Sequence, residues 1–150
     1  MSATALRLRP YAAADEDAAI ELWQRTWQVA YPEIDFAARL EWWRERWRVE
    51  LVPRAKIVLA ETGNVLEGFV TIEPKTGYLD QLVVAPEFWG SEVASLLLGE
   101  AKRVSPARIE LLVNADNLRA IRFYEKHGFT ETGTDVSPSG RPLHRMSWRP

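Results

Sequence analysis

The sequence predicts an α/β protein: a mixed sheet of about seven strands with four helices packed on both faces. Three observations predict it. Residues 56–84 form short β-rich runs cut by turn residues, and four other segments repeat apolar residues at helical spacing. From residue 78 onward, strand and helix patterns alternate as β-α-β.

Leu6-Arg7-Leu8-Arg9 alternates as a short strand and stops at Pro10. Asp15-Glu16-Asp17 places acid at a helix start, where the helix dipole favours it. Ile20, Trp23, Trp27 and Ala30 follow on one helical face, ended by Tyr31-Pro32. Asp35 is positioned to cap a second helix with Phe36, Leu40, Trp43 and Trp47 as its stripe, and Pro53 closes the pair. Lys56–Glu61 and Val65–Glu73 read as a hairpin across Thr62-Gly63-Asn64. Tyr78–Val84 is a further strand, ended by Pro86, and Gly90 to Val104 is a helix that ends before Pro106. Ile109–Val113 is a short buried strand. Asn117 caps a helix that reaches His127 and stops at Gly128. Phe129–Asp135 and Leu143–Trp148 complete the strands, and Tyr78–Val113 forms a β-α-β unit expected to cross over right-handed.

No linker or repeat divides the 150 residues, so a single domain spanning 1–150 is expected. The net charge of −2 lacks the basic excess that nucleic-acid binding needs. Zero cysteines exclude disulfides, thiolate metal sites and a covalent acyl-cysteine intermediate. Two isolated histidines, His127 and His144, do not make a metal site; His127 reads as a favourable charge near a helix C-terminus, His144 as structural or exposed. No membrane-spanning or signal-like apolar stretch is seen, so a cytoplasmic protein without membrane partners is expected.

A strand running straight into a helix N-terminus presents free N–H groups to an anion. Leu82-Val83-Val84-Ala85-Pro86-Glu87-Phe88-Trp89-Gly90-Ser91-Glu92-Val93-Ala94 is such a junction, and also reads as a simple packing unit. Its spacing resembles the coenzyme A loop of the Gcn5-related N-acetyltransferases. Asn114 through Phe129 (NADNLRAIRFYEKHGF) is very similar to that family's other signature, in the family's order and at about its separation. The resemblance departs at Trp89, where the family has Gln or Arg, and at Glu92, where it has Gly; Ala94 fits.

The resemblance implies the acyl-CoA N-acyltransferase fold and acetyl transfer from acetyl-CoA to a primary amine, small-molecule or peptide, by direct attack in a ternary complex. It implies no metal. Leu82, Val83, Val84, Trp89, Gly90, Ser91, Glu92, Val93, Ala94, Asn117 and Tyr124 would contact the donor, with the Leu82 amide holding the thioester oxygen and Tyr124 aimed at the sulfur. Glu73 and Asp80 are the candidate bases, and Gln81 would orient water. Tyr31 and Trp42, off the helical stripes, are expected to wall the acceptor pocket, whereas Trp23, Trp27, Trp43 and Trp47 are expected in the core. A degenerate relative with weak coenzyme binding, acting as a regulatory module, is the alternative that Glu92 favours, and a general phosphate-ligand binder is a third reading. A homodimer stays open.

Overall fold

The computed structural model describes residues 5–150; the first four residues of the expected 1–150 domain lie outside it. Seven strands form two antiparallel sheets. β1 (Leu6–Pro10), β2 (Lys56–Thr62), β3 (Val65–Ile72) and β4 (Leu79–Val84) lie in that order, and β5 (Ile109–Asn114), β6 (Thr130–Val136) and β7 (Pro142–Trp148) are ordered β5-β7-β6. The helices are α1 (Glu16–Ala30), α2 (Leu40–Arg46), the three-residue α3 (Val52–Arg54), α4 (Val93–Val104) and α5 (Leu118–Lys126). A π-helical segment, Trp47–Leu51, joins α2 to α3. Helix therefore continues through Pro53 instead of closing before it. Pro53 sits in the first turn of α3, where a missing N–H costs little.

The two-residue period of β2 and β3 divides their side chains between two cores. Ile57, Leu59 and Phe69 pack with Trp23, Trp43 and Trp47 of the N-terminal helices. Val58, Ala60 and Val70 pack with Leu97 and Leu98 of α4 and with Leu111 and Met146 of the second sheet. Trp23, Trp43 and Trp47 are buried as the stripes predicted, and Trp23 stacks on Trp43 with ring centroids 4.5 Å apart. Gly68 lets α4 approach β3: a Cβ there would lie 2.7 Å from the Val83 carbonyl oxygen and 3.0 Å from Leu97 Cδ1.

The sheet is split where the sequence predicted continuity. β4 and β5 meet only through a parallel bridge between Tyr78 and Glu110, supported by the Glu110 N–H donating to the Gly77 carbonyl at 2.9 Å. Just past this bridge β4 carries a bulge. Thr71 pairs with Gln81 but Ile72 pairs with Leu79, leaving Asp80 as the extra residue. A bulge bends and twists its strand, and β4 diverges from β5 from that point, leaving an open edge.

Candidate active site

Antiparallel pairing alternates inward and outward backbone groups. Ala85 N–H donates to the Glu67 carbonyl at 2.8 Å, so Val84, and Leu82 two residues earlier, turn their N–H and C=O groups toward the open edge of β4. The edge then runs through a 3-10 turn, Pro86–Phe88, to Gly90. Gly90 has φ of +83°, a left-handed conformation that interrupts the chain, so α4 begins at Val93 and not at Gly90. The N–H groups of Gly90, Glu92, Ala94 and Ser95 have no protein acceptor among the described residues. They form an anion cradle at the start of a three-turn helix.

Three adjoining cavities follow this edge. The outer one, about 310 Å³, is bounded by Leu82, Val84, Trp89 and Gly90 on one side and by Asn117, Arg119 and Tyr124 of the α5 segment on the other. Its lining includes Arg119, Lys126 and His127 and no carboxylate. The Arg119 guanidinium lies 3.8 Å from the Trp89 ring centroid, and burial lowers its pKa from the ordinary value. A slot of about 170 Å³ between β4 and β5 shares Trp27, Leu82, Asn117, Ala120 and Tyr124 with the outer cavity. A polar cavity of about 160 Å³ adjoins the slot at Asp80 and holds Arg46, Glu50, Arg54, Glu73 and Tyr78.

Asn117 caps α5, its Oδ1 accepting the Ala120 N–H at 3.2 Å, and the helix ends at Gly128 with φ of +91°. Two helical turns on from the cap, this directs Tyr124 into both the outer cavity and the slot. Its hydroxyl has no protein partner among the described residues, and burial pushes the phenol well above its ordinary pKa. Glu92, the residue that strained the sequence resemblance, is the N-cap of α4; its side chain is exposed and lies outside the outer-cavity lining. Trp89 does line that cavity, and its indole N–H donates to the Val84 carbonyl at 2.7 Å.

The candidate bases share the polar cavity but differ in partners. Both Asp80 oxygens accept from Arg46, at 2.5 and 2.8 Å, whereas Glu73 is half-buried without an ion pair among the described residues. Gln81 faces the slot and accepts the Trp27 indole N–H at 3.3 Å. The expected acceptor wall is not where the sequence placed it. Trp42 is 58% exposed and lines none of the three cavities, because its neighbour Trp43 faces the core and successive helical residues point about 100° apart. Tyr31 is buried and donates to Asp116 at 2.9 Å, with burial, then Asp116, pushing its phenol up to about 12. Trp27, assigned to the core from its stripe, packs against the core only partly buried and also lines the outer cavity and the slot.

Arg119 and Lys126 were missed; the only signal was their position in the α5 signature, since the approach of Arg119 to Trp89 and the place of Lys126 in the same cavity lining depend on long-range packing. His127 is the C-cap of α5. Burial first, then Lys102 and Lys126, pull its pKa down, and its Nε2 lies 3.2 Å from Ser95 Oγ. His144 Nδ1 lies 2.5 Å from Glu131 Oε1 on the second sheet. No group of three or more metal-ligating side chains occurs among the described residues.

The profile of the Acetyltransferase (GNAT) family matches residues 16–129. The chain belongs to that family. This GNAT protein is 31% identical over 151 residues to mycothiol acetyltransferase of Kineococcus radiotolerans, covering 93% of this chain but 48% of that protein, so it spans about half the relative's length. It is 27% identical to the peptidyl-lysine N-acetyltransferase YjaB of Salmonella typhimurium over 82% of this chain and 83% of the relative. The fold is that of PaiA N-acetyltransferase from Thermoplasma acidophilum, solved in complex with coenzyme A (TM-score 0.79, 21% identity, 97% of this chain and 99% of that one). It is also that of apo YjaB from Escherichia coli (TM-score 0.76, 22% identity, 96% and 97%). None of the helices is long and apolar enough to cross a membrane, among the described residues.

Proposed function

We propose that the GNAT protein transfers an acetyl group from acetyl-CoA to a primary amine. One observation carries the reading: the free edge of β4 leads from a carboxylate-free, cationic cavity with an N–H cradle straight to the Tyr124 hydroxyl. Relatives named as acetyltransferases, and a structural neighbour solved with coenzyme A, support it.

The diphosphate of the donor fits the N–H groups of Gly90, Glu92, Ala94 and Ser95, with Arg119 and Lys126 supplying positive charge. The pantetheine arm fits against the outward-facing groups of Leu82 and the Val84 N–H as a short added strand, the Val84 carbonyl being held by the Trp89 indole. This leaves the thioester in the slot. There the Leu82 N–H is placed to stabilise the developing oxyanion. With no cysteine to carry an acyl intermediate, the route is direct attack in a ternary complex, whose rate comes mainly from holding two reactants together.

A lysine-like amine is neutral for only about one molecule in a few thousand at pH 7. Glu73 is the carboxylate left free to accept its proton through water, because Arg46 occupies Asp80. Tyr124 hydrogen-bonds the leaving thiolate and keeps its own proton: transfer from an ordinary phenol already runs uphill by about 2 kcal/mol, and burial makes it harder.

Free-thiol release from acetyl-CoA, followed across a panel of primary amines, tests this. Amine-dependent release above the hydrolysis background is expected. Background rates with every amine, despite saturable acetyl-CoA binding, would contradict catalysis and leave a binding module.

A further inference from the structure

The donor accounts for the outer cavity and the slot, and leaves the polar cavity unused. That cavity joins the slot at Asp80, beside the point where the thioester would lie. Its charges fall into two sets. Arg46 is bound by both Asp80 oxygens, and its Nε lies 3.0 Å from Glu50. These three side chains make a fixed wall. Arg54 and Glu73 have no ion-pair partner among the described residues, and the Tyr78 hydroxyl has no hydrogen-bond partner there. The two free charges sit at different depths: Glu73 is half-buried where β3 ends, and Arg54 is exposed at the end of α3.

From this polarity we propose that the polar cavity is the acceptor site and that it takes a small amine bearing a carboxylate. The ammonium goes inward to Glu73, and the carboxylate goes outward to the Arg54 guanidinium with the Tyr78 hydroxyl as a further donor. The inference rests on the acetyl-transfer reading, and names the substrate class for it. A cavity of about 160 Å³ holds roughly five waters at about 30 Å³ each, the size of a small amino acid. A plain monoamine leaves Arg54 without a counter-charge, and a diamine sets its second ammonium against that guanidinium. An amino acid satisfies both free groups, and the fixed Arg46 wall suppresses competitors that need Asp80.

The test is calorimetric titration of the protein, saturated with coenzyme A, so that no turnover is needed. The ligands are glycine, β-alanine, 4-aminobutyrate, 5-aminopentanoate and 6-aminohexanoate, each beside its primary amide, with 1,5-diaminopentane as the cationic rival. One chain length is expected to bind about two- to fivefold tighter than its amide, the value of an exposed charge pair. Arg54→Gln should bring that ratio to near one, and Glu73→Gln should weaken acid and amide alike. Equal binding of acids and amides, a ratio unmoved by Arg54→Gln, or a diamine that outcompetes every acid would overturn the proposal. Thiol release run in parallel separates the two levels. Acetylation of amides as readily as acids removes this substrate class and keeps the acetyltransferase. No release with any acceptor removes the acetyl-transfer reading, while the acid-to-amide ratio still reports on the cavity.

Discussion

Tyr124→Phe removes one oxygen whose only role in this account is at the reacting sulfur. The hydroxyl has no protein partner among the described residues, and Tyr124 is 7% exposed. Its removal therefore breaks no internal hydrogen bond, and stability should change by less than about 1 kcal/mol. A hydrogen bond to a charged group is worth about 1.5–3 kcal/mol, and each 1.36 kcal/mol is tenfold in rate, so kcat should fall roughly ten- to 150-fold. The thiolate exists only late in the reaction, so the Kd for acetyl-CoA should move less than about twofold. Because burial raises the phenol pKa, Tyr124 stays protonated at neutral pH, and the parent kcat should show no limb from it below about pH 10. Thiol release gives kcat, and calorimetry gives Kd. A variant as fast as the parent, or one whose loss lies wholly in donor binding, would refute the role.

Three further outcomes are expected. Glu92→Gln should tighten acetyl-CoA by no more than about fivefold, since an exposed like charge near 4 Å costs about 1 kcal/mol in water; titrations at low and high salt should show the gain shrinking with salt. Gly68→Ala should cost about 1–3 kcal/mol by overpacking against the Val83 carbonyl and Leu97, read as a melting temperature lower by about 2–4 °C per kcal/mol. Acid should unfold the protein through its N-terminal ion pairs. Arg9 holds the carboxyls of Asp15 and Glu61 below the usual range, and Arg48, with Arg44, does so for Glu16. A depressed folded-state pKa gives stability that is full above the unfolded value, about 4, and lost as pH falls through the folded one. The urea midpoint should hold from pH 7 to about 5 and fall below about 4.5, less steeply in Arg9→Gln.

What the sequence made legible was local. The stripes at Trp23, Trp43 and Trp47, the Asn117 cap and the Gly128 stop each depend on residues within a few turns, and each occupies its expected place. The α4 boundary was missed because one backbone angle at Gly90 decides it. The division of the sheet depends on a single extra residue, Asp80, which no two-residue period reveals. The site's electrostatics were hidden for another reason. Arg46 and Asp80 lie 34 positions apart, and Arg119 meets Trp89 across 30. Helical spacing put Trp27 in the core and left Trp42 free to face a pocket, but a stripe does not distinguish a core from a cavity wall.

The central claim is that the open edge of β4 and the first turn of α4 hold the acyl donor. Backbone amide chemical shifts recorded during titration with acetyl-CoA test it most directly. Saturable movement of the Leu82, Val84, Gly90, Glu92, Ala94 and Ser95 resonances is predicted. Binding that leaves those six unmoved, or no response at millimolar donor, would contradict the account.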